Sequence, residues 1–281
     1  MRVSYVCLDP GVPVFGAKGA SVHVQEVVRA LRRAGHEVVL HAARCGDLVP
    51  ADLADLTVVE TPVRAHDPAG RERAQAEASR RAARDVLERG ADLVYERYSL
   101  FSTALADVAR AAGAPGVLEV NAPLIDEQRR HRVLVDGAGA LAALRAQAGR
   151  ARLTACVSDP VRRWVERLVP DCRAATVPNG VSLERIRPSR EDPGGVVVVF
   201  VGTLKPWHGV DDLLRAAAMA RAPWSLRIIG DGPQMPALRA LAGALGLDVD
   251  FRGQVAPDQV PAHLAGAAIA VAPYPDLGGA D

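Results

Sequence analysis

The sequence is poor in aromatic residues and has no excess of charge of either sign. Phe, Trp and Tyr make up 4% of the 281 residues, and 34 Lys and Arg residues against 33 Asp and Glu residues leave a formal net charge of +1. The arginines are spread along predicted helices without interleaved aromatic side chains. Because nucleic-acid-binding domains usually carry a basic face, this composition argues against a nucleic-acid partner.

Long apolar runs and paired cysteines are also missing. No apolar run approaches the roughly 20 residues that cross a bilayer, and the N-terminal run ends at Asp9, too early for the core of a signal peptide. The cysteines form no C-x-x-C pair; they are Cys7, Cys45, Cys156 and Cys172. We therefore expect a soluble protein of the reducing cytoplasm, which could still touch a membrane surface.

Two common nucleotide-binding motifs are absent as well. The glycines after the first predicted strand, at positions 11, 16 and 19, lack the G-x-G-x-x-G spacing of dinucleotide-binding proteins, and the sequence contains no P-loop. An NAD-linked dehydrogenase is therefore disfavoured.

The strongest local signal is the stretch from Val196 to Gly209, VVVVFVGTLKPWHG. Its unbroken β-branched run is typical of a strand buried on both faces of a parallel sheet, and a helical pattern opens near Val210. The loop between them carries Lys205 and His208 and should lie beside a helix N-terminus, which favours anions. We predict an anion site here; an ordinary strand–helix connection with an exposed lysine is the alternative.

Strand-like and helix-like segments alternate along the whole chain. This pattern predicts an α/β protein with two Rossmann-like, doubly wound domains and a ligand cleft at the carboxyl edges of their sheets. The first domain is predicted at 1–188, a linker rich in proline and glycine at 189–195, and the second domain at 196–281. Within the first domain, we expect a strand at 92–95 and one long helix at 123–149.

A series of short motifs runs through the predicted loops in the order GASVH, VPNGV, RP, FVGTLKPWHG, GDGP, DFRG and APY. In this order and spacing the series resembles the family 4 retaining glycosyltransferases of the GT-B fold, over essentially the whole chain. The resemblance implies a metal-independent transferase that moves a sugar from a UDP or GDP donor to an acceptor hydroxyl, with retention at the anomeric carbon. The nucleotide-sugar is then a substrate and no cofactor is expected. The acceptor could be a saccharide, a lipid or a small molecule.

In this family the second domain holds the donor, and cationic groups neutralise its diphosphate. Thr203 and His208 stand where the family carries an arginine and a lysine. Lys205 is therefore the expected replacement cation, with a catalytic role, and His208 is expected to donate a hydrogen bond. The resemblance extends the donor site to six glycines and an arginine: Gly16, Gly19, Gly202, Gly230, Gly232, Gly253 and Arg252.

The first domain is expected to bind the acceptor through polar residues near the carboxyl ends of its strands. These are Asp9, His23, Glu96, Arg97 and Glu119, together with Asn121, which takes a catalytic position where relatives often carry a functional histidine. Simpler alternatives remain open. Asp9 could form a turn before Pro10, and His23 could be a surface histidine. Glu96 and Arg97 could be solvated charges.

Arginine-rich stretches at 71–89 and 129–132 could attract an anionic acceptor or lipid head groups. Acidic residues interspersed in the first of these stretches favour a solvated helix face there. For the second stretch, both alternatives remain open.

The sequence departs from the family pattern near its end. The family carries a glutamate pair soon after the strand predicted at 268–272, whereas no glutamate follows Glu191. We interpret the chain as truncated, with an incomplete second domain that lacks part of the donor site and could be inactive. The alternatives are a non-catalytic or partner-dependent binding subunit and a nucleotide-sugar epimerase of the same architecture.

Overall fold

The computed structural model describes residues 1–187, 194–221 and 223–273. The chain forms two compact units, Met1–Gly180 and a second that starts at Val181. Of the predicted linker at 189–195, only Gly194 and Gly195 lie within the described residues, and Tyr274 of the last motif lies outside them.

The first unit is built on a seven-stranded parallel sheet with the order β3-β2-β1-β4-β5-β6-β7. Its strands are β1 Arg2–Cys7, β2 Glu37–Ala42, β3 Thr57–Glu60, β4 Leu93–Arg97, β5 Gly116–Val120, β6 Leu153–Cys156 and β7 Ala174–Thr176. The order reverses direction at β1, which is the doubly wound arrangement. The predicted α/β fold class is confirmed for this unit.

Helices cover both faces of this sheet. They are α1 Gly19–Arg33, α2 Pro68–Arg89, α3 Ala104–Ala112, α4 Leu124–His131, α5 Gly137–Arg150 and α6 Asp159–Leu168. Helix α1 packs Val24 and Val28 into one core, whereas α2, α3, α5 and α6 bury apolar side chains such as Val86, Leu105 and Leu144 in a core on the other face.

The predicted single helix at 123–149 is wrong. Helix α4 ends at His131 and α5 begins at Gly137. The Asp136 side chain accepts a hydrogen bond from the Gly139 N–H at 2.7 Å and so caps the new helix. The cap signal lay inside a stretch whose composition otherwise favours helix.

The second unit has a smaller parallel sheet with the order β10-β9-β8-β11. Its strands are β8 Val197–Val201, β9 Ser225–Ile229, β10 Val249–Gly253 and β11 Ile269–Ala270, and its helices are α7 Val210–Met219, α8 Met235–Ala244 and α9 Val260–Leu264. The valine run does form the central, buried strand. A single turn of 3-10 helix, Pro206–His208, separates β8 from α7.

Candidate functional site

Neighbouring strands of the first unit bring polar side chains to one face of the sheet. The parallel register of β1, β4 and β5 places Cys7, Arg97 and Glu119 in one row near the carboxyl ends of the strands. Helix α1 covers this face, so its inward residues can reach the row.

Glu119 is the centre of the resulting cluster. Its Oε1 accepts a hydrogen bond from Nη1 of Arg97 at 3.0 Å and another from Nδ2 of Asn121. From α1, Nε2 of His23 lies 2.7 Å from the same oxygen. Asn121 Oδ1 in turn accepts from Nδ2 of Asn179 at 3.2 Å. We call the four predicted site residues joined here, His23, Arg97, Glu119 and Asn121, the edge cluster.

The neighbours of Glu119 in the edge cluster favour its ionised form. The Glu119 side chain is 7% exposed and the His23 side chain is 17% exposed. Burial opposes ionisation of Glu119, but the hydrogen bond and charge of His23, with further help from Arg97 and Asn121, hold its pKa below the usual value. The edge cluster therefore contains an ionised, buried carboxylate in contact with a partly exposed imidazole. A carboxylate can accept a hydrogen bond from a hydroxyl group, and an imidazole can accept one or donate one.

Two neighbours of the edge cluster were not predicted from the sequence. The rings of Tyr5 and Tyr95 stack with centroids 5.2 Å apart. Burial, followed by the negative charge of Glu119, raises the pKa of Tyr95. The signal was available, because side chains alternate along a strand and Tyr95 precedes Arg97 by two residues.

Glu96 lies on the opposite face of the sheet and does not join the edge cluster. Strand β4 extends to Arg97, so the predicted end at Tyr95 is wrong. The fully buried Glu96 carboxylate accepts hydrogen bonds from the Leu105 N–H at 2.7 Å and from Oγ of Ser102. Burial raises its pKa to about 7 in spite of these bonds. In this position Glu96 fixes the first turn of α3, and it is not one of the exposed charges considered above.

The loop between β1 and α1 is ordered by Asp9. Its Oδ1 accepts from the Gly11 N–H at 2.7 Å, so Asp9 does form a turn. Gly16 is enclosed, since an added Cβ would lie 2.9 Å from Cγ of Pro13. Gly19, the first residue of α1, is exposed, and an added Cβ would have no atom within 4 Å. Both glycines were predicted to contact the nucleotide-sugar donor, and of the two only Gly19 faces open space.

In the second unit, the loops that follow β8, β9 and β10 are joined backbone to backbone. Gly230 has a φ of 131°, and its N–H donates to the Gly253 carbonyl at 2.7 Å. An added Cβ on Gly230 would lie 1.9 Å from the Gly202 carbonyl oxygen, and one on Gly232 would lie 2.5 Å from that of Leu204. Glycine is needed at both positions because a neighbouring loop occupies the space. Their contact with a donor stays a prediction.

The loop after β8 carries Lys205 above an aromatic ring. Nζ of Lys205 lies 4.8 Å from the ring centroid of Trp207, within cation–π range. The half-buried His208 ring tilts against Phe200, with centroids 6.4 Å apart. Burial lowers the pKa of His208, Lys205 lowers it further, and a hydrogen bond with the Thr203 backbone acts in the opposite direction. His208 is therefore neutral near pH 7 and can offer a hydrogen bond but no charge.

Arg252 is held by a carboxylate. Its Nε donates to Oδ2 of Asp250 at 2.8 Å, and Nε of Arg227 donates to the same oxygen at 3.0 Å. Burial opposes ionisation of Asp250, but the two arginines keep its pKa below the usual value. The Arg252 side chain is 44% exposed. A contact between Arg252 and the nucleobase of the donor remains a prediction.

Within the described ranges, no three His, Cys, Asp or Glu side chains converge as they would have to do to hold a metal ion. The cysteines are free thiols, and burial raises the pKa of Cys7 to about 12 and that of Cys45 to about 11. Every helix in the same ranges is too short or too polar to cross a membrane.

Both units match known sequence families. Residues 17–185 match the family model Glycosyltransferase Family 4, and residues 195–279 match the model Glycosyl transferases group 1. An exopolysaccharide phosphotransferase of Streptomyces coelicolor is 35% identical over 128 residues, which are 44% of this chain and 13% of that protein. The chain thus spans a small part of this relative.

Solved structures share the fold. WaaG, a glycosyltransferase involved in lipopolysaccharide biosynthesis, matches with a TM-score of 0.70 and 18% identity, over 99% of this chain and 76% of WaaG. HepE of Anabaena in complex with UDP matches with a TM-score of 0.67 and 17% identity, over 98% of this chain and 74% of HepE. The lipopolysaccharide outer core galactosyltransferase WaaB matches with a TM-score of 0.63 and 18% identity, over 94% of this chain and 70% of WaaB. These likenesses confirm the predicted GT-B fold, with its second domain the smaller one.

Proposed function

Because the chain belongs to glycosyltransferase family 4, we propose that it moves a sugar from a nucleoside-diphosphate donor to a hydroxyl group of an acceptor. The observation that supports this most is that both units, and not one alone, match glycosyltransferase families, over residues 17–185 and 195–279. In finer terms we propose a UDP or GDP donor, retention of configuration at the anomeric carbon, and catalysis without a metal ion.

The donor would bind at the loop after β8 in the second unit. The bond between the anomeric carbon and the diphosphate oxygen breaks, and its electron pair stays on the departing diphosphate. Lys205 would stabilise that charge and His208 would donate a neutral hydrogen bond. HepE has been solved in complex with UDP and with UDP-glucose, which supports a uridine nucleotide in the proposal.

The acceptor would bind at the edge cluster in the first unit. In a retaining reaction the acceptor oxygen bonds to the anomeric carbon while its proton passes to the departing diphosphate oxygen. The edge cluster would therefore bind and orient the acceptor without removing its proton. This suits Asn121, because its amide is already hydrogen-bonded to Glu119 and Asn179 and has no basic nitrogen.

Release of UDP or GDP from a panel of nucleotide-sugars tests the proposal. The protein is incubated with each donor, with and without candidate acceptors, in the presence of EDTA, and the product anomer is assigned by NMR. We expect acceptor-dependent release and an unchanged anomeric configuration. Absence of nucleotide release from every donor, with every acceptor, would refute the transferase proposal. An isomerised donor in the absence of acceptor would instead identify an epimerase.

One observation favours a second candidate, a non-catalytic or partner-dependent binding subunit. Helix α7 carries Asp211 and Asp212 in its first turn, and both are exposed. Carboxylates at a helix N-terminus take the place that favours an anion and repel a diphosphate that approaches it. Weak or absent donor binding by this chain alone, with binding and turnover restored by a co-purifying subunit, would support this candidate.

A further inference from the structure

Asn179 is a polar residue of the first unit that lies outside the edge cluster but contacts it. It is the last residue but one of that unit, and Nδ2 of its side chain donates to Oδ1 of Asn121 at 3.2 Å. An Asn–Gly pair such as Asn179 and Gly180 usually forms a tight turn, yet positions 177–180 form no turn, helix or strand. The Asn179 side chain instead reaches a loop that is 58 residues away in the sequence.

The sheet brings the two asparagines together. Asn121 directly follows β5 and Asn179 comes three residues after β7, so their side chains meet across the carboxyl end of β6. Beyond the end of β7, the Val177 N–H still donates to the Cys156 carbonyl at 2.7 Å. Pro178 fixes its own φ and favours extended backbone at Val177. The position of Asn179 is therefore set by strand pairing and not by a local turn.

The carboxylate of Glu119 determines which way round the Asn121 amide lies. An ionised carboxylate only accepts hydrogen bonds, so Nδ2 of Asn121, and not its oxygen, must face Glu119. Oδ1 then faces Asn179, which supplies the donor. These two bonds use one N–H hydrogen and one oxygen lone pair, and the amide has a second of each. A hydroxyl group can both accept and donate, so it matches the second hydrogen and the second lone pair.

We propose that Asn179 is a positioning residue for the acceptor, because it holds the Asn121 amide in the orientation that presents its second N–H and second lone pair to an acceptor hydroxyl. This inference rests on the proposed function, which places the acceptor at the edge cluster. Without Asn179, the bond to Glu119 alone would hold an amide whose terminal torsion is soft. Acceptor binding would then weaken, whereas the donor, which would bind in the second unit, would be unaffected.

Asparagine-selective nitrogen-15 labelling tests the contact in the whole protein, with neither donor nor acceptor present. The chain contains two asparagines, so the NMR spectrum holds two side-chain amide pairs, and N179A leaves only that of Asn121. We expect the Asn121 pair to shift and to become more mobile, with a lower heteronuclear NOE. Q128A is the control, because it removes a side-chain amide that donates to the Val133 carbonyl at 2.8 Å and should leave the Asn121 pair unchanged. An Asn121 pair with the same shift and mobility in N179A as in the parent would overturn the proposal.

Steady-state kinetics test the consequence for the acceptor, with the donor and acceptor that give nucleotide release. N179A should lower kcat/KM for the acceptor by roughly 2- to 10-fold, mainly through KM, because one neutral hydrogen bond contributes about that factor. N179D should not do better, since its carboxylate has the shape of the amide but cannot donate. Donor affinity, measured by calorimetric titration, should be unchanged in both variants.

Two outcomes separate this inference from the proposed function. Unchanged acceptor kinetics in N179A, with native circular dichroism and an active parent, would overturn the positioning role and leave the transferase intact. Absence of nucleotide release by the parent would refute the proposed function and the acceptor role with it, while the NMR comparison would still decide whether Asn179 holds Asn121.

Discussion

The carboxyl edges of the two parallel sheets are held together by different groups, side chains in the first sheet and backbone in the second. At the edge of the first sheet, side chains meet around a buried carboxylate, with Arg97 and His23 on Glu119. At the edge of the second sheet, backbone meets backbone, as the Gly230 N–H bonds the Gly253 carbonyl. An edge made of side chains can vary its polar contacts residue by residue, whereas an edge made of packed loops tolerates little change.

This difference suggests a division of tasks between the two units. A diphosphate is the same in every donor, so a fixed backbone frame with one cation suits it. An acceptor varies, and an edge of polar side chains can be altered without changing the fold. Substitutions at the two edges should therefore differ in the unfolding free energy that they cost.

The largest effect is expected at the second edge. In G230A the new Cβ would lie 1.9 Å from the Gly202 carbonyl, at a backbone φ of 131° that side-chain-bearing residues rarely adopt. We expect the second unit to lose more than about 4 kcal/mol of unfolding free energy, at the large end of single-mutation effects. Denaturant unfolding, followed by Trp fluorescence, measures this loss.

G243A provides the matched control. Gly243 lies in α8, and an added Cβ there would meet no atom within 4 Å. Alanine is the better helix former by about 1 kcal/mol, so this variant should be as stable as the parent or more so. A G230A variant as stable as G243A would show that the loops are not packed as described.

The next effect is expected at the first edge. E119Q removes the charge that Arg97 and His23 share, and breaking one partner of a buried pair costs about 3 kcal/mol or more. Urea unfolding of the first unit measures the loss. The control is E77Q, because Glu77 pairs with Arg81 at 2.7 Å but is 59% exposed, and such pairs contribute less than about 1 kcal/mol. Equal effects of the two substitutions would contradict the buried edge cluster.

A smaller, pH-dependent effect is expected from Glu96. Its folded-state pKa of about 7 exceeds the ordinary 4.5, so the folded state holds this proton more tightly than the unfolded state. The stability from this group is present at low pH and is lost as the pH rises from about 4.5 through 7.

E96Q cannot ionise and should escape that loss. Relative to the parent, its unfolding free energy should rise by on the order of 2 kcal/mol between pH 5 and pH 8, since one pKa unit corresponds to about 1.4 kcal/mol. Thermal unfolding of both proteins across this pH range is the measurement. Parallel curves for the two proteins would show that Glu96 is not buried as a titrating group.

Much of the fold could be predicted from the sequence because it rests on local patterns. The valine run of β8 and the strand–helix alternation gave both parallel sheets. The helix at 123–149 could not be predicted correctly, because Asp136 competes with a strong helical composition only through one side-chain cap. A single side-chain cap can decide where a helix begins, but it is hard to recognise in the sequence alone.

The candidate sites were predicted unevenly for a related reason. Lys205 could be found because it lies in a short loop after an unmistakable strand. Glu96 and Arg97 were predicted to lie together beyond the end of a strand at 92–95. Because β4 continues to Arg97, the alternation of side chains along the strand places the two residues on opposite faces of the sheet. Asn179 meets Asn121 across 58 residues of sequence, a contact that depends on the whole sheet.

Calorimetric titration of UDP-glucose and GDP-sugars into the parent protein, K205A and R239A tests the central claim most directly. Both cations lie over aromatic rings, Lys205 over Trp207 at 4.8 Å and Arg239 over Phe251 at 4.9 Å, but only Lys205 lies in the loop after β8. We predict donor affinity that falls by roughly 10- to 100-fold in K205A, because a hydrogen bond to a charged group contributes about 1.5–3 kcal/mol, and that stays within about threefold in R239A. Equal donor affinity in the parent and K205A would contradict the claim that this loop holds the diphosphate.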